Sequence, residues 1–315
     1  MASAKPDFAL PPQTVLHARY LLGDTLGGGA LGITYRAVQL DAPARGRVVA
    51  VKEFFPRALA VRAADGSVQP MPKGAADFAM YCARFVRGYR FLHAKANCPP
   101  LVPLLDLFEQ NGTAYVVMAY IEGETLLQRV KAHGAIPPRA LMRMMRPFLH
   151  DLAALHQRKI IHRAIMPRNI LLRGENPPIL LDFGGARPED DWPLRRCPVL
   201  RGRGYLPPEQ ICQSRQGSWT DVYALCATMY YAMTAKEPAD ALERLFAAKT
   251  GKDEPLVPIR TLCPKLPRKQ ADALMAGLSP DSAARPADFA ALESALYGSK
   301  IPHFAFRIPN WCARK

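Results

Sequence analysis

The sequence predicts an α+β chain of two lobes, a small antiparallel β lobe followed by a mainly helical one. Three observations carry that reading. Short apolar runs rich in β-branched residues crowd the first third of the chain around a glycine turn. Helical periodicity dominates after residue 123, and the two regions meet at a hinge-like segment, Ala119-Tyr120-Ile121-Glu122-Gly123.

In chain order, Tyr20–Leu26, Ile33–Ala37 and Val48–Phe54 read as strands, the first two joined by the turn Gly27-Gly28-Gly29-Ala30-Leu31-Gly32. A long helix is predicted at about Ala76–Ala94. Leu104–Glu109 and Thr113–Ala119 then form a hairpin about Asn111-Gly112, a dipeptide suited to the positive φ angles of a tight turn. Beyond the hinge, helices are predicted at Arg139–Gln157, Thr220–Thr234, Gln270–Leu278 and Asp288–Leu296, with short apolar strands between the first two. The chain divides into an N-terminal extension at 1–17, the β lobe at 18–118, the helical lobe at 119–297 and a basic-aromatic tail at 298–315.

With 315 residues and 49% apolar content, the chain can bury a sizeable core. It has no run of eighteen uncharged apolar residues, and its first residues lack the layout of a secretory signal, so a cytoplasmic location without a membrane span is expected. Seven cysteines stand singly, without CxxC spacing, which argues against a disulfide framework, and neither they nor the histidines have zinc-ligand spacing. The net charge of +15 favours an acidic partner, whether nucleic acid, phosphoprotein or anionic membrane.

A glycine turn alone is weak information, because dinucleotide-binding folds also use glycines to bring backbone N–H groups against phosphates. Here the turn is followed by Val49-Ala50-Val51-Lys52, His162-Arg163, Asn169, Asp182-Phe183-Gly184 and Pro207-Pro208-Glu209. With Gly32-Ile33-Thr34-Tyr35, Val51-Lys52-Glu53-Phe54-Phe55-Pro56, Gly204-Tyr205-Leu206-Pro207-Pro208-Glu209-Gln210 and Trp219-Thr220-Asp221-Val222-Tyr223-Ala224-Leu225, this ordered series resembles the bacterial Hanks-type (eukaryotic-like) Ser/Thr protein kinases over about residues 18–297.

The resemblance implies a bilobal protein-kinase-like fold with an ATP and Mg site. Gly27, Gly29 and Gly32 match its phosphate-covering loop, Lys52 its phosphate-holding lysine, and Asn169 and Asp182 its metal-holding residues. Ala50 and Leu171 match the residues that sandwich adenine, Met118 the gatekeeper, and Ala119 and Ile121 the hinge backbone, although apolar residues at such positions are equally ordinary core. His162, Phe183 and Leu92 match a stacked internal column, Glu209 and Arg285 a buried ion pair, and Asp221 a helix-capping aspartate.

The chain departs from the family pattern where the chemistry is done. His162-Arg163-Ala164-Ile165-Met166-Pro167-Arg168-Asn169 has Ala164 at the catalytic base and Met166 at the lysine that faces the γ-phosphate. Gly88 stands at the helix glutamate that should pair with Lys52, and no acid lies between Phe78 and Leu105. Glu53 is no substitute, because strand side chains alternate and it should face away from Lys52. Lys52 is therefore expected to swing free or bind phosphate directly. Residues 185–206 contain no Ser or Thr, which leaves Tyr205 as their one hydroxyl for a phosphorylation switch, and Gly202 stands where the family has a threonine.

Arg163, Arg168, Arg187, Arg195, Arg196, Arg201 and Arg203 make a positive cleft mouth, read either as a solvated face or as a site for an acidic or phosphorylated peptide. Nucleic acid is not expected without a recognised binding fold. Three function classes stay open. The first is a pseudokinase that binds ATP and serves as a regulatory or scaffolding partner in bacterial signalling, docking to a kinase, a phosphatase or a secretion component. The second is a weakly active Ser/Thr protein kinase, and the third a basic binding module for acidic partners. The missing side chains favour the first.

Overall fold

The computed structural model describes residues 8–41, 46–94, 100–182, 185–188 and 202–298. The first lobe runs through β1 (Val15–Leu16), β2 (Tyr20–Gly28), β3 (Gly32–Gln39), β4 (Arg47–Phe54), a small hairpin of β5 (Ala60–Arg62) and β6 (Val68–Pro70), α1 (Ala75–His93), β7 (Leu104–Gln110) and β8 (Thr113–Ala119). Six of these strands form one antiparallel sheet in the order β1-β2-β3-β4-β8-β7. The β7–β8 turn is the predicted one, with Asn111 and Gly112 at φ of 53° and 69°. A Cβ on Gly112 would also lie 2.6 Å from the Val68 carbonyl oxygen, so this turn needs glycine for space as well as for φ.

Alternation along β4 decides what the sheet places in the cleft. Lys52 and Phe54 lie on the α1 side, where the Phe54 ring meets Phe78 and Phe85 of α1 at centroid distances of 5.5 and 5.3 Å. Glu53 faces the other way, as expected, and is fully buried there, at 0% exposure. Its carboxylate accepts from both terminal nitrogens of Arg62 (2.7 and 2.6 Å), from the Tyr35 hydroxyl (2.8 Å) and from the Tyr115 hydroxyl (2.9 Å). A buried charge is tolerable only when it is paired and hydrogen-bonded in this way. Burial, reinforced by this carboxylate, pushes both tyrosine hydroxyls well above the ordinary range.

The stretch set apart as an N-terminal extension contributes β1 and packs on the same face. The Leu10 N–H donates to the Tyr35 hydroxyl (3.1 Å), and the Phe8 carbonyl accepts from Arg62 Nε (2.9 Å). Phe8 stacks on Phe55 at 5.5 Å under the Arg57 guanidinium. No periodic signal announces these contacts, each of which is a single side chain or backbone group meeting the sheet face.

The second lobe continues through β9 (Glu124–Thr125), α2 (Leu126–His133), α3 (Pro138–Gln157), β10 (Ile160–Ile161), β11 (Ile170–Arg173), β12 (Asn176–Leu180), β13 (Arg187–Pro188), α4 (Pro208–Ile211), α5 (Ser218–Thr234), α6 (Ala241–Thr250), α7 (Ile259–Leu262), α8 (Arg268–Gly277) and α9 (Phe289–Tyr297). Helix α5 is buried nearly all round, as its largely apolar sequence requires, and α3, α8 and α9 pack about it. Glu209 and Arg285 form the expected bidentate pair, at 2.6 and 3.0 Å. Among the described residues, no helix is long and apolar enough to cross a membrane.

Candidate functional site

Lys52 sits on β4 between Thr34 of β3 and Val116 of β8 in register, a position that aims it into the cleft beneath the glycine turn. It does not swing free, the first of the two alternatives expected of it. Its ammonium pairs with the Asp182 carboxylate of the second lobe, with 11% of the lysine side chain and 37% of the aspartate side chain exposed. Burial alone would push the Lys52 amine down, but Asp182, and then Tyr89 of α1, outweigh it and hold the ammonium above the ordinary lysine range. Gly88, at the missing glutamate, is buried within α1 beside Tyr89. The lysine thus finds its acid across the cleft, in a residue 130 positions away in sequence.

The catalytic loop is fully built around an empty base position. The His162 and Arg163 N–H groups donate to the two oxygens of Asp221 (2.6 and 2.7 Å), and the Arg163 carbonyl accepts from Gln210 Nε2 (2.8 Å). Contrary to what the resemblance implied, Asp221 does not cap a helix: α5 has Gly217 at its N-cap, and Asp221, in the first turn, anchors the loop backbone instead. Burial would raise the Asp221 carboxyl, but His156, at 3.2 Å, and His162 hold it below the ordinary range. His162 is itself pushed down by burial. Asn169 Nδ2 donates to the Ala164 carbonyl (2.8 Å), which fixes the backbone at the base position while its side chain remains a methyl group.

Met166 is buried, and Arg168 Nε lies 2.9 Å from its sulfur. A Cβ on Gly202 would fall 3.5 Å from Arg168 Nη2 and 3.6 Å from Met166 Cε, so the glycine read at the family's threonine does face this loop. Tyr205, the one hydroxyl left for a switch, is buried at 5% exposure and is out of reach of a modifying enzyme in this conformation.

The apolar candidates fall where the fold needs core. Ala50 and Met118 are register partners on β4 and β8, and Leu171 lies on β11; all three are buried. The hinge N–H of Ala119 is committed to the Pro103 carbonyl (2.9 Å). Ile121 is half-buried beyond it. The Leu181 N–H donates to the Asn169 carbonyl (2.9 Å), which brings the two metal-holding candidates, Asn169 and Asp182, onto adjoining segments.

Gly32 is required by the sheet itself, because a Cβ there would lie 2.3 Å from the Glu53 carbonyl oxygen. Around Gly27 and Gly29, by contrast, no protein atom comes closer than 3.9 Å to an added Cβ. Phe183, Gly184, Arg195, Arg196, Arg201, the side chains of Arg187 and Arg203, and the tail from Ser299 lie outside the described residues. Sequence reasoning missed Gln210, whose position in Pro207-Pro208-Glu209-Gln210 was read only as a family marker.

A strand lysine in a twisted antiparallel lobe that reaches across a hinge to an aspartate of a helical lobe is the arrangement of a protein kinase domain. The model of the protein kinase domain matches residues 20–272, and the chain belongs to that family. It is 31% identical over 307 residues to the serine/threonine-protein kinase pkn2 of Myxococcus xanthus, covering 94% of this chain and 34% of the relative. It is 29% identical over 236 residues to the serine/threonine-protein kinase PknA of a Nostoc species, covering 72% of this chain and 39% of the relative. The chain thus spans little more than a third of the length of these curated relatives. A solved structure described as the PpkA-294 apo form superposes with a TM-score of 0.75 at 26% identity, over 92% of this chain and all of that one.

Proposed function

We propose that this chain is a cytoplasmic pseudokinase that binds ATP and Mg and acts by docking to a partner protein in bacterial signalling, such as a kinase, a phosphatase or a secretion component. The observation that carries the proposal is the loop held by Asp221, Gln210 and Asn169 around Ala164. The scaffold for phosphotransfer is retained, but a methyl group accepts no proton. General-base catalysis is worth about 10²–10⁴-fold, and losing the cation at Met166 removes further stabilisation of the transferring group.

The residues present fit the nucleotide and its metal. Asp182 offers a partly exposed carboxylate, and Asn169 retains its side-chain oxygen because its nitrogen serves Ala164. Lys52 lies beside them to take phosphate, and the space around Gly27 and Gly29 suits an approaching anion. Bound metal would supply positive charge across the phosphates. The retention of Lys52, Asn169 and Asp182, together with relatives named as Ser/Thr kinases, supports a second reading, a weakly active kinase.

Thermal unfolding with and without ATP and Mg²⁺ tests nucleotide binding, since a ligand of the folded state stabilises it by RT ln(1 + [L]/Kd). An upward shift of about 5 °C at ATP a hundredfold above Kd is expected. Lys52→Ala and Asp182→Ala should each remove it. Absence of a shift at millimolar ATP would overturn the nucleotide reading and favour a basic module for acidic partners, whose binding should weaken steeply with salt.

A further inference from the structure

A cavity of about 410 Å³ lies against the hinge. Its walls are Arg47 and Val48 of β4, the hinge from Ala119 to Glu122, and Arg173 at the end of β11, so both lobes contribute. Strand register places it. Val49 is the first residue of β4 to pair with β8, opposite Ala119, so Arg47 and Val48 stand beyond the end of β8, where that strand gives way to the hinge. Leu172 pairs with Glu124 of β9, and Arg173 follows it on the second-lobe side of the same hinge. Ala50, Lys52, Met118, Asn169, Leu171 and Asp182 do not line the cavity, which shares only the hinge residues Ala119 and Ile121 with the nucleotide candidates.

The walls are cationic. Arg173 is half-buried, and its Nε and Nη2 donate to the Pro177 carbonyl (3.2 and 2.8 Å), which fixes the guanidinium without balancing its charge. Burial pushes it below the ordinary arginine range, with no acid acting against that. Arg47 stands exposed at the rim, and among the described residues no carboxylate pairs with either arginine. The Arg36 guanidinium lies over the ring of Tyr120, 5.5 Å from its centroid, and adds positive charge at the same edge. Glu122 is the single acid in the wall and is exposed to solvent. A partly buried charge without a counter-charge is costly, and a bound anion removes that cost.

We propose that this hinge cavity is a binding site for a small oxyanion of the diphosphate class, held between Arg47 and Arg173. Guanidiniums suit paired phosphate oxygens, and the cavity has the size of a small-molecule site. Two cations carried on different lobes call for an anion with more than one charged group. Bound there, it bridges β4 and β11 across the hinge. The site stands apart from the nucleotide reading, since neither of its arginines belongs to the cleft.

Calorimetric titration with inorganic pyrophosphate, without divalent metal, tests the proposal in the full chain carrying Lys52→Ala, which removes the cleft lysine. Binding should equal that of wild type. Arg47→Gln and Arg173→Gln are each expected to weaken it about tenfold, the scale of a hydrogen bond between charged groups. Arg173 also supports the β11–β12 hairpin, but Arg47 is exposed, so Arg47→Gln should fold normally. Glu122→Gln should tighten binding about threefold, a gain that misfolding cannot mimic. Arg143→Gln, at an exposed position of α3, should change nothing. No binding at millimolar pyrophosphate would overturn the proposal. So would an equal loss in Arg143→Gln and Arg47→Gln, which would show only the overall charge of the chain, or a loss in Lys52→Ala, which would place the anion in the cleft.

Discussion

Arg285→Ala is expected to destabilise the protein by about 3–5 kcal/mol, a large share of the roughly 5–15 kcal/mol that holds a typical domain together. The reason lies in what the truncation leaves behind. Arg285 donates to both Glu209 oxygens and also to the carbonyls of Ser279 (2.7 Å) and Pro280 (3.0 Å), while Thr220 holds the Glu209 carboxylate from the other side (3.0 Å). Removing the guanidinium strands a buried carboxylate and two carbonyls at once. Arg285→Lys should recover only part of the loss, because a single ammonium cannot reproduce a bidentate fork. Urea unfolding followed by circular dichroism measures both variants. A cost below about 1 kcal/mol for Arg285→Ala would mean that water replaces the pair and that it is not the anchor described here. Glu209 is also chain neighbour to Gln210, which holds the Arg163 carbonyl, so loosening of the catalytic loop is expected alongside the loss of stability.

Ala164→Asp is expected to raise phosphotransfer by about 10²–10⁴-fold over wild type. The loop is already in place for the carboxylate: the backbone at 164 is fixed by Asn169, and the preceding residues are fixed by Asp221. The rate should stay below that of an ordinary kinase, because Met166 still supplies no cation and effects within one constellation do not add. Transfer from labelled ATP to a generic protein substrate measures the gain, with Ala164→Asp/Asp182→Ala as the background. No gain would place the block elsewhere, at Met166 or in the coupling of Lys52 to α1.

The fold was legible because its motifs are local and ordered. The glycine turn, the strand lysine, the Asn111-Gly112 hairpin and the long helices each rest on short-range spacing, and the structure places them within a few residues of their predicted positions. Two helices were passed over although their signals were present. Thr125 and Gln128 form a capping box ahead of α2, and α6 lies between an Asp240 cap and a left-handed Gly251. What could not be read was pairing at a distance. That Lys52 would find Asp182, that Glu53 would gather Arg62, Tyr35 and Tyr115, and that Asp221 would hold the loop rather than a helix end all depend on how the two lobes and their sheets come together. The losses at Ala164, Met166 and Gly88 were visible at once, because each is a single residue inside a fixed motif.

The measurement that tests the central claim most directly is phosphotransfer by the purified wild-type chain, incubated with γ-labelled ATP and Mg²⁺ or Mn²⁺ and compared with Asp182→Ala prepared in the same way. The account predicts incorporation no greater than in Asp182→Ala, both into the chain itself and into added protein substrate, because no side chain at position 164 can take the proton. Incorporation that is clearly measurable in wild type and abolished by Asp182→Ala would contradict it. The chain would then be an enzyme that draws its base from water or from a carboxylate outside the loop.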